Sequence, residues 1–223
     1  QRQMCIRDRG PAMSREEAVK AIEVGIGMVA DLKEKGYNVL ATGEMGIGNT
    51  TTSSAVCSVL LDQSVEKVTG KGAGLTNKDL EHKIEVIRQS IALNKVNADD
   101  PLDVLAKVGG LDIAGMAGCY IGGAALNIPV FIDGFISSVA ALIAIRLVPE
   151  CAPYLFPSHC SNEPAGRMIL DAIGKQPYIF ANMCLGEGTG AVMGFTIADY
   201  AFKAYWELPS FEQTNFGTYE ELN

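Results

Sequence analysis

The sequence predicts an α/β protein with a three-layer α/β/α architecture built on a mostly parallel sheet. Short apolar segments of strand character alternate with longer stretches in which apolar residues recur at helical spacing. Strands that alternate with helices are joined by crossovers, which make the pairing parallel. Glycine-rich turns fall directly after the strand-like segments, where open α/β sheets bind ligands. A chain of 223 residues is long enough to bury one substantial core.

Taken in order, residues 1–10 (QRQMCIRDRG) share no periodicity with the rest of the chain and are read as non-native translated sequence, outside the fold. From Ser14 the pattern turns helical. Ser14 and Glu17 form a capping box, Ala18, Ile22, Ile26 and Val29 recur on one face, and Gly36 ends the helix. Residues 37–41 read as a short buried strand, and residues 50–61 resume helical spacing. A second glycine-rich segment, residues 69–74, precedes a charged helix over 77–95, and Pro101 opens another that ends near Gly109 and Gly110. Residues 113–126 carry the glycine and alanine that closely packed helices require. Residues 128–132 are the clearest buried strand, followed by a helix over 137–147. A further strand is expected at 178–181 and a further helix at 188–204. The domain is expected to span 11–206, with 207–223 as a polar tail.

The bulk chemistry excludes several classes. A net charge of −8 is incompatible with a surface that tracks nucleic-acid phosphates, so no nucleic-acid partner is expected. The most apolar stretch, residues 113–129, is broken by glycines and Asn127, so no membrane-spanning helix is expected. The six cysteines contain no CxxC pair and read as reduced thiols, mostly in the core, of a cytoplasmic protein. The two histidines, His82 and His159, lie at no metal-ligand spacing.

Two loops carry the candidate chemistry. Residues 43–52 (GEMGIGNTTT) place glycines where a backbone must turn and hydroxyls where a helix starts. Such a loop either binds phosphate through its amides and the helix dipole or is only a tight strand-to-helix connection. It lacks the Lys-Ser/Thr pair of a Walker A loop. Residues 185–191 (LGEGTGA) set Glu187 between two glycines, reachable by a ligand and poorly solvated, and able to accept a proton. Alternatively, Glu187 only favours the first turn of the following helix. Glu44 has an analogous setting, and Asp133 is a third loop carboxylate that can equally be a turn former. Lys71, from a glycine-rich turn, and Lys83, from a helix, either supply positive charge to a phosphate or, as the default, are solvated surface lysines. Residues 157–166 (PSHCSNEPAG) form a polar loop, with no GxSxG elbow to support a hydrolase.

GEMGIGNTT, TGKGAGL, PVFIDGFIS, PSHCSNEP and LGEGTGA, in this order and spacing, together resemble the nicotinate mononucleotide:benzimidazole (CobT-type) phosphoribosyltransferase family, over residues 12–206. The resemblance implies a Rossmann-like sheet, helices of a small helical domain left incomplete here, a homodimer, and chemistry without metal or other cofactor. It implies nicotinate mononucleotide and a benzimidazole-type base as ligands. It puts the general base at Glu187 and an auxiliary carboxylate at Glu44. The nucleotide phosphate falls to Gly46, Gly48, Asn49, Thr50 and Thr51, with Gly72, Lys83 and Ser161 assisting, and Asp133, Leu185 and Gly186 complete the ligand site. Family members carry a further upstream segment that completes the base pocket. The alternatives are a truncated, inactive fragment and a non-catalytic nucleotide-binding module, which would keep the phosphate loop and make Glu187 dispensable.

Overall fold

The computed structural model describes residues 9–72 and 74–214. The foreign character expected of residues 1–10 falls, for 1–8, outside the described residues, as does most of the expected tail. Among the described residues, no helix is long and apolar enough to cross a membrane.

Helix α1 (Arg15–Glu34) starts at the expected capping box: the Ser14 hydroxyl accepts the Glu17 N–H at 3.1 Å, and the Glu17 carboxylate accepts the Ser14 N–H at 2.7 Å. Gly36, at φ +87°, turns the chain out. Strand β1 (Leu40–Ala41) leads to α2 (Asn49–Leu60), the single turn α3 (Val65–Val68), the charged α4 (Asn77–Asn94) and α5 (Pro101–Val108). Helix α6 (Leu111–Ala125) precedes β2 (Val130–Ile132) and α7 (Phe135–Leu147). A 3₁₀ segment, Pro149–Tyr154, enters β3 (Leu155–Pro157), followed by α8 (Gly166–Ala172), α9 (Thr189–Glu207) and a 3₁₀ turn, Phe211–Gln213.

The sheet is parallel, in the order β1-β2-β3, with Leu40 opposite Val130 and Phe131 opposite Phe156. Val130 and Ile132 are fully buried in the main core beside α6 and α7. Phe131 points the other way, where Phe195 of α9 meets it edge-on at 5.0 Å. Helices on both faces of a parallel sheet give the expected three layers.

Two expectations need correction. Residues 37–41 do not form a buried strand: only Leu40 and Ala41 pair, and Tyr37 and Val39 are exposed, because β1 is an edge strand that lacks cover. Residues 178–181 contribute a single bridge, Ile179 beside His159, instead of a full strand. The third strand is β3, whose last residue, Pro157, falls in the expected polar loop and whose first two carry no sequence-based expectation. Its three residues end in Pro157 and follow Pro153, and prolines mask strand character.

The glycines of α6 let it lie directly on α1. A Cβ at Gly118 would run into the Ile22 carbonyl oxygen, and one at Gly25 into that of Gly115. Both obstacles are backbone, so no side chain can yield. Gly118→Val should therefore destabilise the protein by about 3 kcal/mol or more, the upper end of overpacking costs, read as a lower denaturant midpoint. A midpoint within error of wild type would show that the helices can separate freely.

Candidate active site

A cleft of about 380 Å³ opens beyond the C-terminal ends of the strands, lined by the loops after β1, β2 and β3, the turn at 70–72 and the loop at 184–187. The loop after β1 brings Glu44, Gly46 and Thr50. Asp133 follows β2, Ser161 follows β3, Gly72 comes from the glycine-rich turn, and Leu185, Gly186 and Glu187 close the opposite wall. Gly48, Asn49, Thr51 and Lys83 are not in the lining.

The Glu187 loop adopts a costly backbone. Gly186, Glu187 and Gly188 all have positive φ, at +81°, +59° and +80°, and a non-glycine residue there stores about 1–3 kcal/mol that its surroundings must offset. The buried Asp133 carboxylate does so. One oxygen accepts the Gly188 N–H at 3.0 Å, and the other accepts those of Gly190 and Ala191 at 2.8 and 3.3 Å. Asp133 thus caps α9, whose own N-cap, Gly188, offers no side chain. The loop is also tied to the one after β1: the Glu187 N–H donates to the Glu44 carbonyl at 3.0 Å, and Met45 bridges Gly186. Gly43 fits against Gly188 only because it has no Cβ. The two carboxylates thus sit on mutually braced loops. Glu187 is exposed, so the poor solvation expected of it is not found.

Glu44 is half-buried. Burial, then the nearby Asp112, push its carboxyl above the usual range, against the opposing effect of the Met45 N–H and the Asn49 side chain. The Asn49 side chain thus reaches Glu44 without itself lining the cleft.

Two helices begin at the cleft without side-chain caps. Helix α2 has Gly48 as its N-cap, left-handed at φ +88°, and α7 has Gly134. Gly134, Phe135, Ile136 and Ser137 all line the cleft, so α7 adds a second positive helix end beside that of α2. This second end was missed in the sequence, although the FIDGF segment after the central strand carries its signal.

Lys83 is not the solvated lysine that its helix suggested. It is buried, donating to Thr50 Oγ1 at 2.9 Å and to the Gly70 carbonyl at 3.0 Å. Burial lowers its pKa, and Glu163 acts in the opposite sense. Lys71 is exposed, as expected.

The polar loop after β3 places Ser158, His159 and Asp133 together, but not as a nucleophilic triad. Ser158 is fully buried, and its hydroxyl donates to the Ile132 carbonyl at 2.7 Å. Having spent its proton, Ser158 can only accept from His159 Nδ1, 3.0 Å away, which fixes the tautomer and leaves Nε2 as an acceptor. Burial keeps His159 below its ordinary pKa, against the pull of Asp133. The expectation of core thiols holds for Cys57 and Cys151, whose pKa values burial pushes up to about 12 and about 11, whereas Cys184 is exposed at the cleft.

Among known proteins, the family model described as "Phosphoribosyltransferase" matches residues 6–216. A nicotinate-nucleotide–dimethylbenzimidazole phosphoribosyltransferase of Ruminiclostridium cellulolyticum is 54% identical over 214 residues, covering 96% of this chain and 61% of that protein. Its counterpart in Acetivibrio thermocellus is 51% identical, covering 95% and 60%. The crystal structure of CobT from Thermus thermophilus superposes with a TM-score of 0.87 at 34% identity, over 93% of this chain and 62% of that one. The chain therefore spans about 60% of the length of these relatives. On the matched motifs, the shared sheet and the extent of identity, the chain belongs to the nicotinate-nucleotide–dimethylbenzimidazole phosphoribosyltransferase family.

Proposed function

We propose that this chain forms the catalytic part of an enzyme that transfers ribose 5-phosphate from nicotinate mononucleotide to 5,6-dimethylbenzimidazole or a related base. The products are nicotinate and α-ribazole 5′-phosphate, the nucleotide of the cobalamin lower ligand. The observation that carries this reading is the pair of carboxylates, Glu187 and Glu44, on braced loops beside two uncapped helix starts.

The chemistry needs little more. Nicotinate departs from a pyridinium nitrogen, and the electrons of the breaking C1′–N bond neutralise that ring, so no general acid is required. The benzimidazole attacks C1′ with one nitrogen and loses the N–H proton of the other. Glu187 accepts that proton, a contribution of about 10²–10⁴-fold. Attack on the face opposite the leaving group converts the β linkage to α. Negative charge at Glu44 stabilises the oxocarbenium-like centre, as carboxylates do in glycoside transfer. The helix ends at Gly48 and Gly134 supply N–H groups and positive potential to the phosphate. Met45, Ile47 and Leu185, exposed along the rim, offer apolar surface to a flat aromatic base.

A homodimer is part of this reading, supported by exposed apolar residues of α9 such as Ile197, Tyr200, Tyr205 and Trp206, a surface of the kind that marks an interface. A cytoplasmic location fits the free thiols and a phosphorylated substrate.

The direct test incubates nicotinate mononucleotide and dimethylbenzimidazole with the 223-residue chain, and with a version extended to the length of its relatives, and follows nicotinate and α-ribazole phosphate by chromatography. Stoichiometric formation of both by the extended protein is expected. The chain alone should turn over far more slowly, because positioning catalysis fails when one reactant is poorly held. No product from either protein would overturn the reading.

A further inference from the structure

The role of Glu163 is assigned neither by the reaction nor by the motif that contains it. Its half-buried carboxylate lines the cleft together with Gly72, and burial pushes its pKa up against the opposing effects of Lys83 and the Gly72 N–H. It also packs flat against Gly70, where any Cβ would collide with Oε2. The neighbouring cation is Lys83, buried and held by Thr50 and by the Gly70 carbonyl of the same turn. The attraction between Lys83 and Glu163 acts across space, because no direct ion pair joins them among the described residues. The glycine-rich turn thus offers one backbone donor beside the buried positive charge that α4 lends it, and a carboxylate of the protein already lies near both.

We propose that Glu163 competes with the phosphate of an incoming ligand for the Gly72 N–H and the field of Lys83, and so limits how tightly phosphorylated ligands are held. The proposal rests on the reading of this cleft as a nucleotide site. A buried lysine without a counter-charge is costly, and Glu163 supplies that charge within the protein. A phosphate that enters the turn meets the same carboxylate and must displace it. The arrangement trades affinity for release. A transferase whose substrate and product both carry the ribose phosphate benefits, since a phosphate held too firmly would retain the product.

The test removes the charge and keeps the shape. Glu163→Gln retains a side-chain oxygen to accept the Gly72 N–H, and Glu163→Ala removes both charge and acceptor. Inorganic phosphate, nicotinate mononucleotide and nicotinate riboside are titrated calorimetrically into wild type and both variants, with thermal unfolding recorded for each. The glutamine variant should bind phosphate and the mononucleotide roughly tenfold more tightly, the scale of removing one nearby like charge at a partly screened site. The riboside, without phosphate, should be unaffected. The alanine variant should shift in the same direction. A purely structural role predicts weaker binding of all three ligands. Unchanged or weaker phosphate binding in the glutamine variant overturns the proposal, as does loss of folding in both variants. Tighter phosphate binding in a protein that ignores the mononucleotide upholds Glu163 as the competitor and sinks the substrate reading. Mononucleotide binding of equal strength in wild type and variant does the reverse.

Discussion

Replacing Glu187 with glutamine should lower kcat by at least about 10²-fold while nicotinate mononucleotide binds nearly as before. The asymmetry follows from where the residue stands. Its backbone N–H is bonded to the Glu44 carbonyl and its φ is +59°, features that an isosteric side chain leaves intact. The proposed phosphate-binding elements, at the starts of α2 and α7, lie on other loops. What glutamine lacks is the ability to take a proton. Since pyridinium departure asks for no acid, the whole demand for proton transfer falls on one base, and its loss appears in the chemical step. The measurement is nicotinate release under saturating mononucleotide, with affinity measured separately, in a protein of the relatives' full length. Near-normal turnover would remove Glu187 from its assigned role. A parallel loss of mononucleotide affinity would instead make it a ligand-positioning group.

The elements legible in the sequence were those whose local signals agree with their packing. The capping box at Ser14, Pro101 at a helix start and the valine, phenylalanine and isoleucine of β2 all announce structures that the fold then uses. The edge strand β1 was over-read because apolar residues signal strand character without saying whether both faces will be covered. Strand β3 was missed because three residues ending in proline carry no period. At the cleft, the loops that carry Glu44 and Glu187 were legible as loops because glycines announce backbone that must turn or approach closely. Lys83 was not. A lysine on a charged helix looks solvated, and only the tertiary approach of Thr50 and Gly70 buries it. Glu163 was hidden for the same reason: its partners, Gly72 and Lys83, are remote in sequence and meet it only through the fold.

Asp133→Asn should destabilise the protein by about 2–4 kcal/mol, the cost of weakening charge-assisted bonds and leaving one buried donor unpaired, and should lower kcat by roughly 10²-fold through misplacement of the base. The carboxylate serves three N–H groups from two oxygens: Gly188 on one side, Gly190 and Ala191 on the other. An asparagine can keep its oxygen towards Gly190 and Ala191, but its amide nitrogen then faces the Gly188 N–H, donor against donor. Rotating the amide only transfers the conflict to the other pair. No relief is available nearby, because Gly190 presses against the His159 ring and Asp133 is itself buried. The first segment to yield is the one stored at positive φ, Gly186 to Gly188, which carries the proposed base. Asp133 is therefore proposed as a positioning residue that acts through Glu187, and kinetics can separate this role from general loss of stability. In the double variant Asp133→Asn/Glu187→Gln, assayed well below the unfolding midpoint, the rate should be close to that of Glu187→Gln alone, since a base that is absent cannot be misplaced. Effects that multiply would mean that Asp133 contributes to the reaction independently of Glu187, and the capping account of its function would fail.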